Sequence, residues 1–528
     1  MASPELVEAM QQPKFYPHGP RKVELIQTHI SYVFIAGKYV YKVKKELNLG
    51  FLDFTTLEKR QYYCQQELEL NRRLAPDIYL EVVAIFSDQE GRFLLGTGSE
   101  IVEYAVKMKK LPENRMLKRL LAAGKIDLAF MSRLAQKIAA FHGEAATGGK
   151  IDLMGCPETI RRNHEENFLQ AAPFINVTIP FYKFDFIKAY SFNFIEKNMA
   201  LFKKRIATGR IRDCHGDLHL EHICLLNKVI VVYDCIEFNE RFRYEDVAAE
   251  VAFLAMDLDD NGYFQHAEAF VKAYTINSGD GDIAPLLNFY KCYYAYVRGK
   301  VMSFELNDRD ISEKEHQSAL TSASHYFDLA YNYASRLDRP TLIIMSGLMG
   351  TGKSVLANSL ASLLGADVIS SDLTRKELFR VEPTARHYED FGQGIYRNDL
   401  SLEVYDKLRE IAVARIKAGK SVIIDASFKK RGERMAAFAT AQLLAVDFFV
   451  LECTCPEKII RNRLARRQAD DAEISDGRWE IFAAQQADFD TISEFPAPIH
   501  LTLDTSLDRE LCLDKTIRHV KNLAAAKK

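Results

Sequence analysis

Eight consecutive residues, Gly347-Leu348-Met349-Gly350-Thr351-Gly352-Lys353-Ser354, constrain this chain more than any others. They match the spacing G-x-x-x-x-G-K-[ST] in full. The apolar run TLIIMS (341–346) precedes them, and VLANSLASLL (355–364), apolar at helical spacing, follows. A strand, a glycine-rich turn and a helix in that order bring backbone N–H groups round one point at a helix N-terminus, where an anion is favoured. The segment reads as a P-loop. Gly347, Gly350, Thr351 and Gly352 would cradle nucleotide phosphates, Lys353 would set its charge against the terminal phosphates, and Ser354 would ligate Mg²⁺.

Further apolar runs alternate with helical patterns: VISSD (368–372), SVIID (421–425), VDFFVLECT (446–454) and IHLTLDT (499–505). Such alternation predicts an α/β domain with a parallel sheet. Leu337-Asp338-Arg339-Pro340 breaks the preceding helical pattern, so the domain is placed at 336–528. Ligands of parallel sheets sit at the carboxyl ends of strands, so Asp372 and Asp425 should face the phosphates. Asp425 is a candidate ligand for Mg²⁺ or water. Asp372, followed by Arg375, is a candidate base for an acceptor hydroxyl; it also reads as the cap of the helix LTRKELF. In RNRLARRQADD (461–471), Arg463, Arg466 and Arg467 form either a solvated basic face or a lid over the transferring phosphoryl group. The D-x-x-R after the second strand and this arginine-rich helix resemble the small P-loop kinases, among them the AAA-type, gluconate-kinase-like, zeta-toxin-like and polynucleotide-kinase-like enzymes. The resemblance implies phosphoryl transfer from ATP to a hydroxyl, with Lys353, Asp372, Arg463 and Arg467 catalytic.

The first half reads differently. Residues 21–110 carry strand patterns, with a turn at Ala36-Gly37-Lys38 and one helical stretch over 55–74. Residues 113–335 are mostly helical, except for a strand-rich island near 212–238. That island holds His215-Gly216-Asp217-Leu218-His219-Leu220-Glu221-His222 and, at the end of VIVVYD, Asp234. These residues resemble the H-G-D-x-x-x-x-N loop and following aspartate of aminoglycoside phosphotransferases. The resemblance implies an α+β, two-lobed, protein-kinase-like domain over 21–335, with an N-lobe to about 110 and residues 1–20 as a tail. Asp217 would orient or deprotonate the acceptor, and Asp234 would hold Mg²⁺. Of the strand lysines Lys42 and Lys44, Lys42 would reach the ATP phosphates, steadied by Glu67. The segment 101–111 would be the hinge against which adenine stacks, and Asp246 would brace the loop. His222 stands where the family has its metal-binding Asn, which places either an altered metal preference or a decayed site here. His215 reads as a structural hydrogen-bonding residue. His215, His219 and His222 together lack the further ligand that a zinc site needs.

The chain has 528 residues, 48% hydrophobic and 27% charged, so it can build several cores. A net charge of -2 argues against a nucleic-acid partner. No apolar run reaches membrane-spanning length, and the start lacks a secretory pattern. The cysteines are scattered, Cys453 and Cys455 excepted, which fits a reducing cytoplasm. The resulting expectation is a bifunctional ATP- and Mg²⁺-dependent phosphotransferase acting on small-molecule hydroxyl acceptors, with the P-loop domain the surer catalyst. The alternative is a nucleotide-gated regulatory or stress-response ATPase whose first domain binds a ligand or is weakly active.

Overall fold

The computed structural model describes residues 4–308, 311–382, 384, 390–468 and 474–526. Packing divides the chain into two compact units, Met1–Pro180 with Ile187–Ala330, and Phe181–Phe186 with Tyr331–Lys528.

The first unit opens with six strands: β1 (Val23–Gln27), β2 (Ser31–Ala36), β3 (Tyr39–Lys44), β4 (Tyr79–Ser87), β5 (Phe93–Leu95) and β6 (Glu100–Lys109). They form one antiparallel sheet in the order β1-β2-β3-β6-β4-β5. Gly37, at φ 63°, permits the two-residue turn that sets Ala36 opposite Tyr39. One face buries Phe34, Tyr41, Val43 and Ile85 against Leu6, Met10 and Tyr16. Residues 4–16, expected as part of a tail, therefore contribute a helix (Pro4–Met10) to this core. Leu6 and Met10, four apart, share the helix face that packs there.

The Leu57–Arg72 helix starts at Thr56, whose side chain accepts the Lys59 N–H, and it buries Glu67. Helices dominate the rest of the unit, including Leu128–Glu144, Val247–Asp260 and Ala284–Glu305. Two short pairs interrupt them: β7 (Ile211–Asp213) with β10 (Tyr244–Asp246), and β8 (Ile223–Leu226) with β9 (Val229–Val232). The unit is thus a two-lobed α+β fold of the kinase-like kind, a strand-rich lobe followed by a helical one. Residues 247–259 of the Val247–Asp260 helix are all buried. Its acidic groups must therefore find partners inside the protein.

The second unit holds β11 (Thr341–Ser346), β12 (Ala366–Ser370), β13 (Ser421–Asp425), β14 (Asp447–Thr454) and β15 (His500–Asp504). Every pairing is parallel, in the order β12-β13-β11-β14-β15. Both faces are covered by helices, which explains why β11 and β13 are buried throughout. Leu342, Ile344, Val422, Ile424, Phe448 and Val450 supply the core of one face. The unit is an α/β P-loop fold, and the glycine turn leaves the central strand.

One buried ion cluster anchors the helical lobe of the first unit. Arg205 pairs with Asp246 at 2.6 Å and Asp280 at 2.5 Å, all three side chains at most 2% exposed. Arg205→Met strands two buried carboxylates and should cost about 3–5 kcal/mol. Chemical denaturation of the full chain checks this through the transition of this unit. A loss under about 1 kcal/mol would contradict the assignment.

Candidate active sites

In the second unit the turn after β11 has the backbone that its sequence requires. Gly347, Gly350 and Gly352 have φ of 136°, 75° and 85°. A Cβ on Gly347 would lie 2.4 Å from the Cys453 carbonyl oxygen, so only glycine fits. The Thr351 hydroxyl donates to Leu348 O at 2.7 Å, so this side chain shapes the turn and leaves phosphate contacts to the backbone. Lys353 Nζ donates to Leu348 O at 2.8 Å. Burial lowers the Lys353 pKa, opposed by Asp425 and Asp372 and aided by Arg467. Ser354 follows in the first turn of the Lys353–Leu364 helix. The curled, glycine-lined turn with its lysine fits a nucleotide's phosphates.

Asp425 ends β13 opposite Met345 of β11 and Ser370 of β12, at the carboxyl edge of the sheet. Asp372 lies two residues beyond β12, inside the Ser371–Leu378 helix. That helix is capped by Ser370, which accepts the Leu373 N–H, so Asp372 is not its cap. Burial foremost, then the charge of Asp425, raises the Asp372 carboxyl above its ordinary value. Around it stand Arg375, already named from the sequence, and groups that sequence reasoning missed. Tyr396 donates to Asp476 at 2.8 Å, and Lys376 Nζ donates to Ile474 O at 2.7 Å. The Arg375 guanidinium sits 4.8 Å from the Tyr396 ring centroid. Gln485 Oε1 accepts the Met349 N–H at 2.8 Å, a polar contact on the phosphate turn that no local motif announces.

The arginine helix spans Glu457–Gln468; residues 469–471 of the expected lid lie outside the described residues. Arg463 is tied down. Its guanidinium donates to Thr505 O at 2.7 Å and Thr505 Oγ1 at 3.0 Å, and lies beside Gly352. It braces the wall of the turn, while Arg467 is the arginine whose charge acts on Lys353.

In the first unit Lys42 and Lys44 leave the same face of β3 and share Glu67. Lys42 Nζ lies 2.9 Å from Glu67 Oε1 and 2.7 Å from Asp234 Oδ1. Lys44 Nζ lies 2.7 Å from Glu67 Oε2 and pairs also with Glu237. Burial would discharge Lys42, but Asp234 first and then Glu67 hold its pKa well above the ordinary lysine value. Asp234 stands two residues past the end of β9, at φ 64°, a left-handed turn that aims its carboxylate back at Lys42. Desolvation opposes its ionisation, and Lys42 and His222 more than reverse this, holding it well below the usual carboxylate range.

Asp217 follows the same logic. Burial raises its pKa, and the His222 and His219 rings bring it down to about 2. Its Oδ2 lies 3.7 Å from His219 Nε2 and 3.4 Å from His222 Nδ1. His215 is structural, with Nε2 3.0 Å from Tyr233 O. The loop is braced by a residue the motif did not suggest. Glu250 Oε1 accepts the N–H groups of His215 at 2.8 Å and Gly216 at 2.6 Å, while its Oε2 meets His142 at 2.7 Å. Asp246, expected in that role, pairs with Arg205 and caps its own helix at Ala248. Glu250 lies one helical turn further on, which the spacing alone could have flagged. The expected hinge segment is β6 and its exit. A cavity of about 590 Å³ lies beside Glu237, walled by Phe51, Tyr62, Phe238 and Arg241.

These two clefts lie in a two-lobed, kinase-like α+β unit and in an α/β P-loop unit of one chain. Residues 342–492 match the family described as AAA domain. An uncharacterized protein of Mycobacterium tuberculosis is 29% identical over 473 residues, 89% of this chain and 91% of its own. A shikimate kinase of Paramagnetospirillum magneticum is 26% identical over 180 residues, 33% of this chain and 88% of its own. Among solved structures, an amicoumacin kinase in complex with AMP-PNP and Ca²⁺ covers 61% of this chain and 92% of its own, at 13% identity and a TM-score of 0.39. Among the described residues, no helix is long and apolar enough to cross a membrane.

Glu250→Gln turns an acceptor for two loop N–H groups and a histidine into a side chain that is half donor. Stability should fall by about 2–4 kcal/mol, and any turnover that depends on the Asp217 loop should fall with it. Denaturation midpoints and turnover check this; unchanged values in both would remove Glu250 from the brace.

Proposed function

We propose that the chain is a bifunctional ATP-dependent phosphotransferase, each unit passing the γ-phosphoryl group of ATP to a hydroxyl of a small molecule. The observation that carries the reading is the convergence of Lys353, Asp425 and Asp372 beside the glycine turn at the carboxyl edge of a parallel sheet. The AAA-domain match over 342–492 and the relative named a shikimate kinase support it.

In the second unit the backbone of Gly347–Ser354 would hold the phosphates and Lys353 would shift from Leu348 O onto them. Asp425 and Ser354 would hold Mg²⁺, whose chemistry is to neutralise charge on the terminal phosphates. Asp372, made more basic by burial, is suited to receive the acceptor's proton. Arg467 would meet the charge of the transferring group, and Arg463 would keep the turn's wall in place. Excluding water favours transfer over hydrolysis.

In the first unit Lys42 would take the phosphates once a nucleotide competes with Asp234 for it. Glu67 keeps that lysine in place. Asp217, with a low pKa, is a weak base, so its part is to orient the acceptor hydroxyl and to receive its proton late in transfer. His222 and Asp234 would hold the metal ion. The acceptors are small hydroxyl compounds, and the setting is cytoplasmic.

A second reading has the first unit as a nucleotide-gated regulatory module, favoured by His222 at the metal position. Single substitutions in the full chain separate the two. Lys353→Ala should remove one phosphorylated product and Asp217→Asn another, each by at least about 10²-fold, when a metabolite mixture is screened by mass for addition of one phosphate. Loss of products only with Lys353→Ala would favour regulation. Turnover that survives in the double variant would sink the proposal.

A further inference from the structure

The hydrogen bonds around His222 determine which of its nitrogens is free. Its Nδ1 lies 3.0 Å from the backbone carbonyl oxygen of Asp217. A carbonyl only accepts, so Nδ1 carries the proton and Nε2 presents a lone pair. That lone pair faces Asp234 Oδ2 at 3.6 Å. An ionised carboxylate also only accepts, and the other oxygen of Asp234 is already engaged by Lys42 at 2.7 Å. Two electron-pair donors therefore face each other with no hydrogen between them.

His219 is set the opposite way. Its Nδ1 accepts the Glu221 N–H at 3.4 Å, so its Nε2 carries the proton, directed at Asp217 Oδ2 3.7 Å away. The ligand atoms of Asp217, His219 and His222 lie within 4.8 Å of one another, yet only His222 among the two histidines has a nitrogen to give. His219 orients the Asp217 carboxylate. The turn itself is fixed, since the His222 N–H donates to His219 O at 3.0 Å and the Leu220 N–H to buried Asp257 at 2.8 Å.

We propose that the cleft between His222 Nε2 and Asp234 Oδ2 binds a divalent transition ion, of the Mn²⁺ to Zn²⁺ series, in preference to Mg²⁺. Two ligands each about 2.0–2.2 Å from one ion stand roughly 3.0–3.5 Å apart, so the observed gap closes with a small side-chain movement. Mg²⁺ selects oxygen ligands and retains its waters, whereas an imidazole nitrogen suits the transition series. The inference deepens the reading of this cleft as a phosphoryl-transfer site and rests on it for the ion's purpose.

The test uses the full chain with ¹⁵N-labelled histidine, Mn²⁺ and a methylene-bridged ATP analogue, examined by electron spin-echo envelope modulation. A histidine-nitrogen coupling is expected, and it should vanish in His222→Asn. In competition titrations the preference for Mn²⁺ over Mg²⁺ should drop roughly tenfold or more in that variant. Absence of the coupling in the unsubstituted protein overturns the proposal, and that measurement stands whether or not the variant folds. Coupling retained in His222→Asn overturns it too, by assigning another histidine. A product lost only with Asp217→Asn, formed with Mg²⁺ and without any histidine coupling, overturns the metal assignment and leaves phosphoryl transfer standing. Coupling without such a product under any metal supports the ion site and overturns the transfer reading.

Discussion

Lys42 draws together side chains that the sequence keeps far apart. Its ammonium group sits between Glu67, on the helix behind the sheet, and Asp234, in the loop after β9. A lysine taken out of water is stable in its charged form only with carboxylates against it, and removing one partner would leave a costly uncompensated charge. Lys44 repeats the arrangement with Glu67 and Glu237. Glu67, wholly buried, thus serves two lysines, and three acids from two segments, the Leu57–Arg72 helix and the loop after β9, are held in one place. The left-handed backbone at Asp234 is part of the same arrangement. Such strain persists where surrounding contacts over-determine it, and here the Lys42 pair is one of them.

On the proposed reading the second unit meets the same demand, charge for a nucleotide's phosphates, with backbone instead of side-chain pairs. Its turn passes under the Cys453 carbonyl so closely that a methyl group at position 347 has no room. Backbone N–H groups need no counter-charge when the site is empty, whereas Lys353 rests on a carbonyl oxygen. On the proposed reading the two units therefore prepare for a polyanion by different means. One stores cationic side chains in a salt-bridge network, and the other stores dipoles in a glycine-lined curve.

Much of this was legible in the sequence because the relevant groups are local. The octapeptide, its flanking strand and helix, the parallel-sheet alternation and the H-G-D loop each lie within a short stretch whose spacing carries the geometry. Asp425 was readable because a strand's end is visible in its pattern, and Asp234 nearly so, two residues past a strand. The rest depends on distant contacts. Glu237 matters because it meets Lys44, 193 positions away, and Gln485 because it meets Met349, 136 positions away. Arg463 looked like a lid residue from its helix alone; its hydrogen bonds to Thr505 are set by where β15 ends. The exchange of Asp246 for Glu250 is instructive. Asp246 caps the helix and Glu250 lies in its first turn, and with Asp246 taken up by Arg205 it is Glu250 that braces the loop.

The central claim is that one polypeptide carries two independent nucleotide cradles. Calorimetric titration of the intact chain with a non-hydrolysable ATP analogue measures this most directly, because it counts sites without needing either acceptor. A stoichiometry of two per chain is expected, and a stoichiometry of one or none would contradict the claim.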